Sequence, residues 1–135
     1  VIARPEGYDL DPDDVTAIAS LAGARGGSVR VTEDLDGALA GAHAFYPKSC
    51  GALGLFGRPE EEAAFRAGLR GWRISQERLR PTAAGKGIVL HCLPVRRNVE
   101  LDGAVLDGPN SVVVDEAENR LHVQRALLLE LIGTK

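Results

Sequence analysis

Residues 87–98 read Gly87-Ile88-Val89-Leu90-His91-Cys92-Leu93-Pro94-Val95-Arg96-Arg97-Asn98. The first five form a short apolar, β-branched run, the pattern of a strand buried on both faces. Pro94 has no N–H to give to a ladder, so the strand must stop before it and leave carbonyls facing outward. Arg96 and Arg97 follow at once, and a guanidinium fork suits carboxylate or phosphate. A doubly buried strand belongs in a parallel sheet covered by helices. Such sheets bind ligands beyond the carboxyl ends of their strands.

Outward from this segment, short β-branched runs alternate with helical patterns. Strands are expected at residues 1–3, 28–32, 42–46, 73–74 and 111–114. Asp11-Pro12-Asp13 starts a helix with Val15, Ile18, Ala19 and Leu21 on one face, and Gly26-Gly27 stops it. Further helices are expected at 34–40, from Pro59 to about residue 69, at 76–79 and at 116–131. The alternation predicts an α/β fold, a three-layer Rossmann-like parallel sheet with helices on both faces, in one domain over 1–135. The last helix carries Leu121, Val123, Leu127, Leu128, Leu131 and Ile132 around more than one face, so residues 118–135 are expected to pack on a second domain. Three loops leave strand ends with unusual chemistry: 47–57, 92–98 and 115–120.

Composition narrows the function classes. A chain of 135 residues, 44% hydrophobic and 26% charged, has the balance of one globular domain with a real core. Its net charge of -3 argues against a nucleic-acid grip, which needs a basic stripe. No apolar run has the ~20 residues of a membrane span, and the opening residues Val1-Ile2-Ala3-Arg4-Pro5 are not expected to act as a signal peptide. Cys50 and Cys92 have no CxxC neighbour, which suits reduced thiols in a cytoplasm. The absence of Met, even at position 1, suggests a piece of a longer chain.

Each candidate has a plain structural explanation beside the functional one. His91 and Cys92 point to opposite faces of a strand, which does not suit a shared metal, and a buried Cys is mostly inert packing. In Asp115-Glu116-Ala117-Glu118-Asn119-Arg120 the acids are ordinary for a helix start. Arg120, read as lying in the first turn, is not, and a bound anion would favour it there. Lys48-Ser49-Cys50-Gly51 is either a solvated lysine on a glycine-punctuated loop or part of a site. There is no Gly-Lys-Ser/Thr phosphate loop and no G-x-G-x-x-G fingerprint.

Two motifs together are more specific. His91-Cys92-Leu93-Pro94, followed by Asp115-Glu116-Ala117-Glu118-Asn119-Arg120-Leu121-His122-Val123-Gln124, resembles the second, amino-acid-binding domain of the aspartate/ornithine carbamoyltransferase family. The resemblance extends upstream through Arg4-Pro5-Glu6-Gly7-Tyr8 to nearly the whole chain. Tyr46-Pro47-Lys48-Ser49-Cys50-Gly51 and Leu93-Pro94-Val95-Arg96-Arg97-Asn98-Val99 are similar to the N-acetylornithine and N-succinylornithine branch. The Asp and Ser-Met-Gly of plain ornithine enzymes do not occur. An acylated amine offers no charge for an Asp to pair, whereas its α-carboxylate still calls for cations.

The resemblance implies carbamoyl transfer from carbamoyl phosphate to the δ-amine of an N-acylornithine, in arginine biosynthesis, with no metal or organic cofactor. It implies that Cys92 and Leu93 present backbone carbonyls to the carbamoyl NH2 and that Leu93 touches the acylornithine. Arg120 would take the phosphate or carbamoyl oxygen, and Lys48, Ser49 and Arg96 the amino acid. His91 would either polarise the carbonyl or serve the structure. Glu100 stands where some acetylornithine enzymes carry a carboxylated lysine, and is expected to supply that carboxylate itself. Cys50 replaces the usual Trp of the loop.

The family's carbamoyl-phosphate domain, with its phosphate loop and His-Pro-x-Gln motif, is not in these residues, nor is the second domain's own first strand. The resemblance therefore implies a partner domain, a cytoplasmic homotrimer, and no activity in this segment alone. Two other readings stay open: an ornithine or ureido-type carbamoyltransferase, and a non-catalytic Rossmann-like binding or assembly module.

Overall fold

A computed structural model describes residues 1–133 of the chain. Along it run β1 (Ile2–Ala3), α1 (Pro12–Gly23), β2 (Val31–Thr32), α2 (Leu35–Leu39), β3 (Ala44–Phe45), α3 (Pro59–Arg66), α4 (Gln76–Leu79), β4 (Ile88–Val89), α5 (Gly103–Leu106) and α6 (Val113–Ile132), with short 3-10 turns at Leu53–Leu55, Ala67–Trp72 and Ala83–Gly85. Both strand pairings are parallel and joined through helices, as an α/β, Rossmann-like fold requires: Ile2 lies opposite Val31, and Ala44 opposite Ile88. The residues fall into two compact units, Val1–Ala40 with Ser49–Arg73, and Gly41–Lys48 with Ile74–Lys135.

In the first unit, local chemistry sets the helix ends. Asp11 caps α1, its Oδ1 accepting the Asp13 N–H at 2.9 Å with Pro12 in the first turn. Asp34 caps α2 through the Gly37 N–H at 2.8 Å. The core here is small, built on Tyr8, Leu39 and Ala52, and Tyr8 stacks on Phe65 with centroids 5.2 Å apart. The expected apolar face of α1 is not buried, because Ile18 and Leu21 stay exposed. The helix expected from Pro59 to about residue 69 gives way to a 3-10 turn after Arg66, with Leu69 at non-helical angles.

The second unit has the stronger core: Ile74, Leu79, Val89, Leu101, Val105 and Val113 are all buried. Val89 bonds on both sides. Leu90 donates to Phe45 beside it, while Val89 N–H gives to Asn110 and Val89 C=O accepts from Val112. The expected strand at 111–114 is corrected to this single bridge at Ser111, since the backbone turns into α6 at Val113. The region 115–120 is therefore helix rather than loop. Arg120 stands well past the first turn of α6, and the dipole argument made for it does not hold. Gly87 makes room at the start of β4: a Cβ there would lie 2.6 Å from Thr82 Oγ1 and 2.8 Å from the Ala42 carbonyl. The part of the 118–135 expectation that concerns residues 134 and 135 lies outside the described residues.

Candidate active site

Parallel pairing brings the carboxyl ends of β3 and β4 side by side within the second unit. Tyr46 leaves one end and His91 the other, and their rings stack with centroids 6.4 Å apart and planes 15° from parallel. Glu116, in the first turn of α6, reaches both ends. Its Oε1 accepts the Tyr46 hydroxyl at 3.0 Å and its Oε2 the His91 backbone N–H at 2.8 Å. The Tyr46 phenol is pushed well above the ordinary tyrosine value, first by its hydrogen bond with the Cys92 thiol, then by desolvation and by Glu116.

The loop after β4 is held by its own side chains. Leu93 N–H donates to His91 Nδ1 at 3.0 Å, and His91 Nε2 lies 3.0 Å from Glu100 Oε2. Nδ1 is thus the acceptor, which assigns the proton to Nε2 and makes it the donor to the carboxylate. Glu100 Oε1 accepts Arg96 Nε at 2.8 Å. His91 and Glu100 are both buried, so this pairing satisfies groups that would otherwise be costly inside. Two non-glycine residues of the loop take left-handed angles, Leu93 at φ 50° and Asn98 at φ 60°. Asn98 suits that conformation, and its Oδ1 accepts the Gly103 N–H at 3.0 Å.

Arg120 lies one turn beyond Glu116 on the same face of α6, and its Nη1 donates to the Cys92 carbonyl at 3.1 Å. Of the residues singled out from the sequence, His91, Cys92, Leu93, Arg96, Glu100 and Arg120 meet in this cluster. Lys48 is exposed on the segment after Tyr46, in the same unit. Ser49, also exposed, and the half-buried Cys50 belong to the first unit. Arg97 turns to structure instead, gripping Asp107 through two bonds of 2.6 and 2.7 Å.

Tyr46 and Glu116 were not among the expected site residues. The available signal was the spacing of Glu116 and Arg120, four apart on a helix, which puts an acid and a cation on one face. Chemically, the cluster offers a guanidinium beside a strand-end carbonyl, a second guanidinium held by a buried carboxylate, and a neutral imidazole engaged at both nitrogens. Among the described residues, no group of three or more His, Cys, Asp or Glu is placed to hold a metal ion, and no helix is long and apolar enough to cross a membrane.

The family model described as aspartate/ornithine carbamoyltransferase, Asp/Orn binding domain, matches residues 1–131. N-acetylornithine carbamoyltransferase of Xanthomonas campestris pv. campestris is 42% identical over 126 residues, covering 93% of this chain and 37% of that protein. Ornithine carbamoyltransferase of Rhodococcus opacus is 42% identical over 135 residues, covering 99% of this chain and 41% of that protein. The chain thus spans about two-fifths of the length of these curated relatives. A crystal structure of acetylornithine transcarbamylase complexed with acetylcitrulline superposes with a TM-score of 0.88 at 40% identity, over 99% of this chain and 40% of that one. A mutant of N-acetyl-L-ornithine transcarbamylase complexed with carbamyl phosphate and N-succinyl-L-norvaline gives 0.87 at 40% identity, over 97% and 39%.

Proposed function

This chain belongs to the aspartate/ornithine carbamoyltransferase family of enzymes, matching its Asp/Orn binding domain, and on that premise we propose that it binds the amino-acid substrate in carbamoyl transfer to an N-acylated ornithine. The donor is carbamoyl phosphate, bound with the help of a further domain of a longer protein. The neutral δ-amine attacks the carbamoyl carbon, a tetrahedral intermediate forms, and phosphate leaves with the C–O bond electrons and takes up the amine proton. Catalysis is orientation plus stabilisation of developing oxygen charge.

The observation that carries this proposal is Arg120 Nη1 at 3.1 Å from the Cys92 carbonyl. An anion-binding cation stands beside a peptide that, with Leu93, offers carbonyls to the carbamoyl NH2. Arg120 then takes the phosphate or carbamoyl oxygen. Lys48 and Arg96 hold the amino acid, and Leu93 touches its side chain. Glu100 keeps Arg96 aimed, in place of a carboxylated lysine. His91 shapes the Cys92–Leu93 peptide through its two hydrogen bonds rather than by moving a proton.

The further domain would cover α6, where Leu121, Val123, Leu127, Leu128, Leu131 and Ile132 are all more than half exposed. This segment alone would then be inactive. The proposal includes a cytoplasmic homotrimer, which light scattering on the complete natural protein tests.

Free ornithine is the second reading, favoured by the equal 42% identity to an ornithine enzyme. Assaying the complete protein with carbamoyl phosphate and N-acetylornithine, N-succinylornithine or ornithine decides. Product from an acylated amine is expected. Product from ornithine alone overturns the acyl assignment, and product from none overturns the function.

A further inference from the structure

We infer that Glu116 is a positioning residue for the amino-acid substrate, joining the ends of β3 and β4 so that the segments bearing Lys48 and Cys92–Arg96 keep a fixed spacing. The inference rests on the carbamoyl-transfer reading above.

The geometry begins with a missing ladder partner. Val89 donates to Asn110 and accepts from Val112, so in a continuing parallel ladder the His91 N–H would next meet the Val112 carbonyl. That carbonyl instead accepts the Glu116 N–H at 2.9 Å, in the opening bond of α6, as the backbone turns into the helix. A strand-end N–H would be stranded where the neighbouring segment turns into a helix. The Glu116 side chain substitutes for the lost carbonyl at 2.8 Å, and its other oxygen takes the Tyr46 hydroxyl at 3.0 Å. One carboxylate therefore extends the sheet past its last backbone bond and links both loops. One turn on, Arg120 bonds the carbonyl of the next residue, Cys92. The same helix face thus holds consecutive backbone groups of the loop.

Two donors on two oxygens make a specific demand on side-chain length and acceptor number. Glutamine meets it: its oxygen accepts the His91 N–H and its NH2 donates to the Tyr46 oxygen. Aspartate is one methylene short and reaches one partner. Alanine reaches neither.

The test uses the complete natural protein with carbamoyl phosphate and N-acetyl-L-ornithine, succinylornithine or ornithine, whichever the wild type carbamoylates. Glu116→Ala should raise the KM of the amine about tenfold or more, and Glu116→Asp should raise it too, with a smaller change in kcat. Glu116→Gln should stay within about threefold of wild type, since it keeps both bonds. Tyr46→Phe should raise the KM, and its effect should shrink when combined with Glu116→Ala, because both remove the Tyr46–Glu116 bond and only the contact with the Cys92 thiol is left for Phe to remove. If the alanine variant does not fold, the aspartate, glutamine and phenylalanine variants still decide. An unchanged KM in Glu116→Asp, a glutamine variant as impaired as aspartate, or additive effects of Tyr46 and Glu116 overturn the inference. A wild type inert toward every amine instead overturns the function on which it rests.

Discussion

His91 Nε2 lies 3.0 Å from a carboxylate oxygen of Glu100, and both side chains are buried. That carboxylate also accepts Arg96 Nε and the Arg96 backbone N–H, so Glu100→Ala takes the acceptor away from all three donors. The expected cost is about 2–3 kcal/mol of stability, read from urea midpoints, with Glu100→Gln less affected. In the complete protein, Glu100→Ala should also raise the acylornithine KM by releasing Arg96. An unchanged KM would detach Glu100 from substrate binding.

Gly87 sits against Thr82 and the Ala42 carbonyl so closely that no side chain fits without moving backbone. Thr82 is fully buried and its hydroxyl donates to Leu79 at 2.6 Å, so it has little freedom to yield. Gly87→Ala should destabilise by about 2–3 kcal/mol, the upper range for overpacking, and would weaken the β3–β4 pairing first. Thermal unfolding measures it, and a shift within error would show that the strands separate at low cost.

Both tyrosines should ionise above the usual value. Burial raises Tyr8 first, with Cys50 adding to it, and the Cys92 thiol and desolvation raise Tyr46. A raised folded value means that the neutral phenol is the form the fold favours. The stability involved is fully present below the unfolded tyrosine value of about 10 and is lost as pH rises through the folded values. Near-UV absorbance should show tyrosinate only above that point in the native protein, and at the ordinary point after unfolding. Ionisation of either tyrosine at the ordinary value in the native state would contradict its packing.

Arg97 and Asp107 give the opposite sign. The two-bond grip lowers the Asp107 carboxyl below its ordinary value. Stability from this pair is present above the unfolded Asp value of about 3.9 and is lost as pH falls through the folded one. Both groups are exposed, so solvent and salt keep the effect small. The difference in urea midpoint between wild type and Arg97→Ala should exist at neutral pH and disappear in strong acid. A difference that persists there would assign it to packing.

Much of this was legible along the chain because it depends on neighbours in sequence. The N-cap Asp11, the short helix at 76–79, the run into β4 and the stop before Pro94 follow from local propensity, capping and hydrophobic period. So does the meeting of His91, Cys92 and Arg96, which lie within six positions. Strand lengths were less legible: residues 28–32 pair only at Val31–Thr32, and the apolar run 111–114 turns into a helix after one bridge. β-branched residues suit a strand or a buried helix start equally, and pairing, which is non-local, chooses between them.

The sequence by itself determined an α/β architecture, a cationic loop at a strand end and, through two motifs, the family. Only the tertiary structure decided which charges are committed and to what. It buries Glu100 against His91, turns Arg97 to Asp107, and spans Glu116 between Tyr46 and the His91 backbone. Tyr46 and Glu116 are 70 residues apart, and what joins them is an N–H left without a ladder carbonyl where a strand becomes a helix. No local pattern carries that vacancy, because it exists only once β4 and the start of α6 lie side by side.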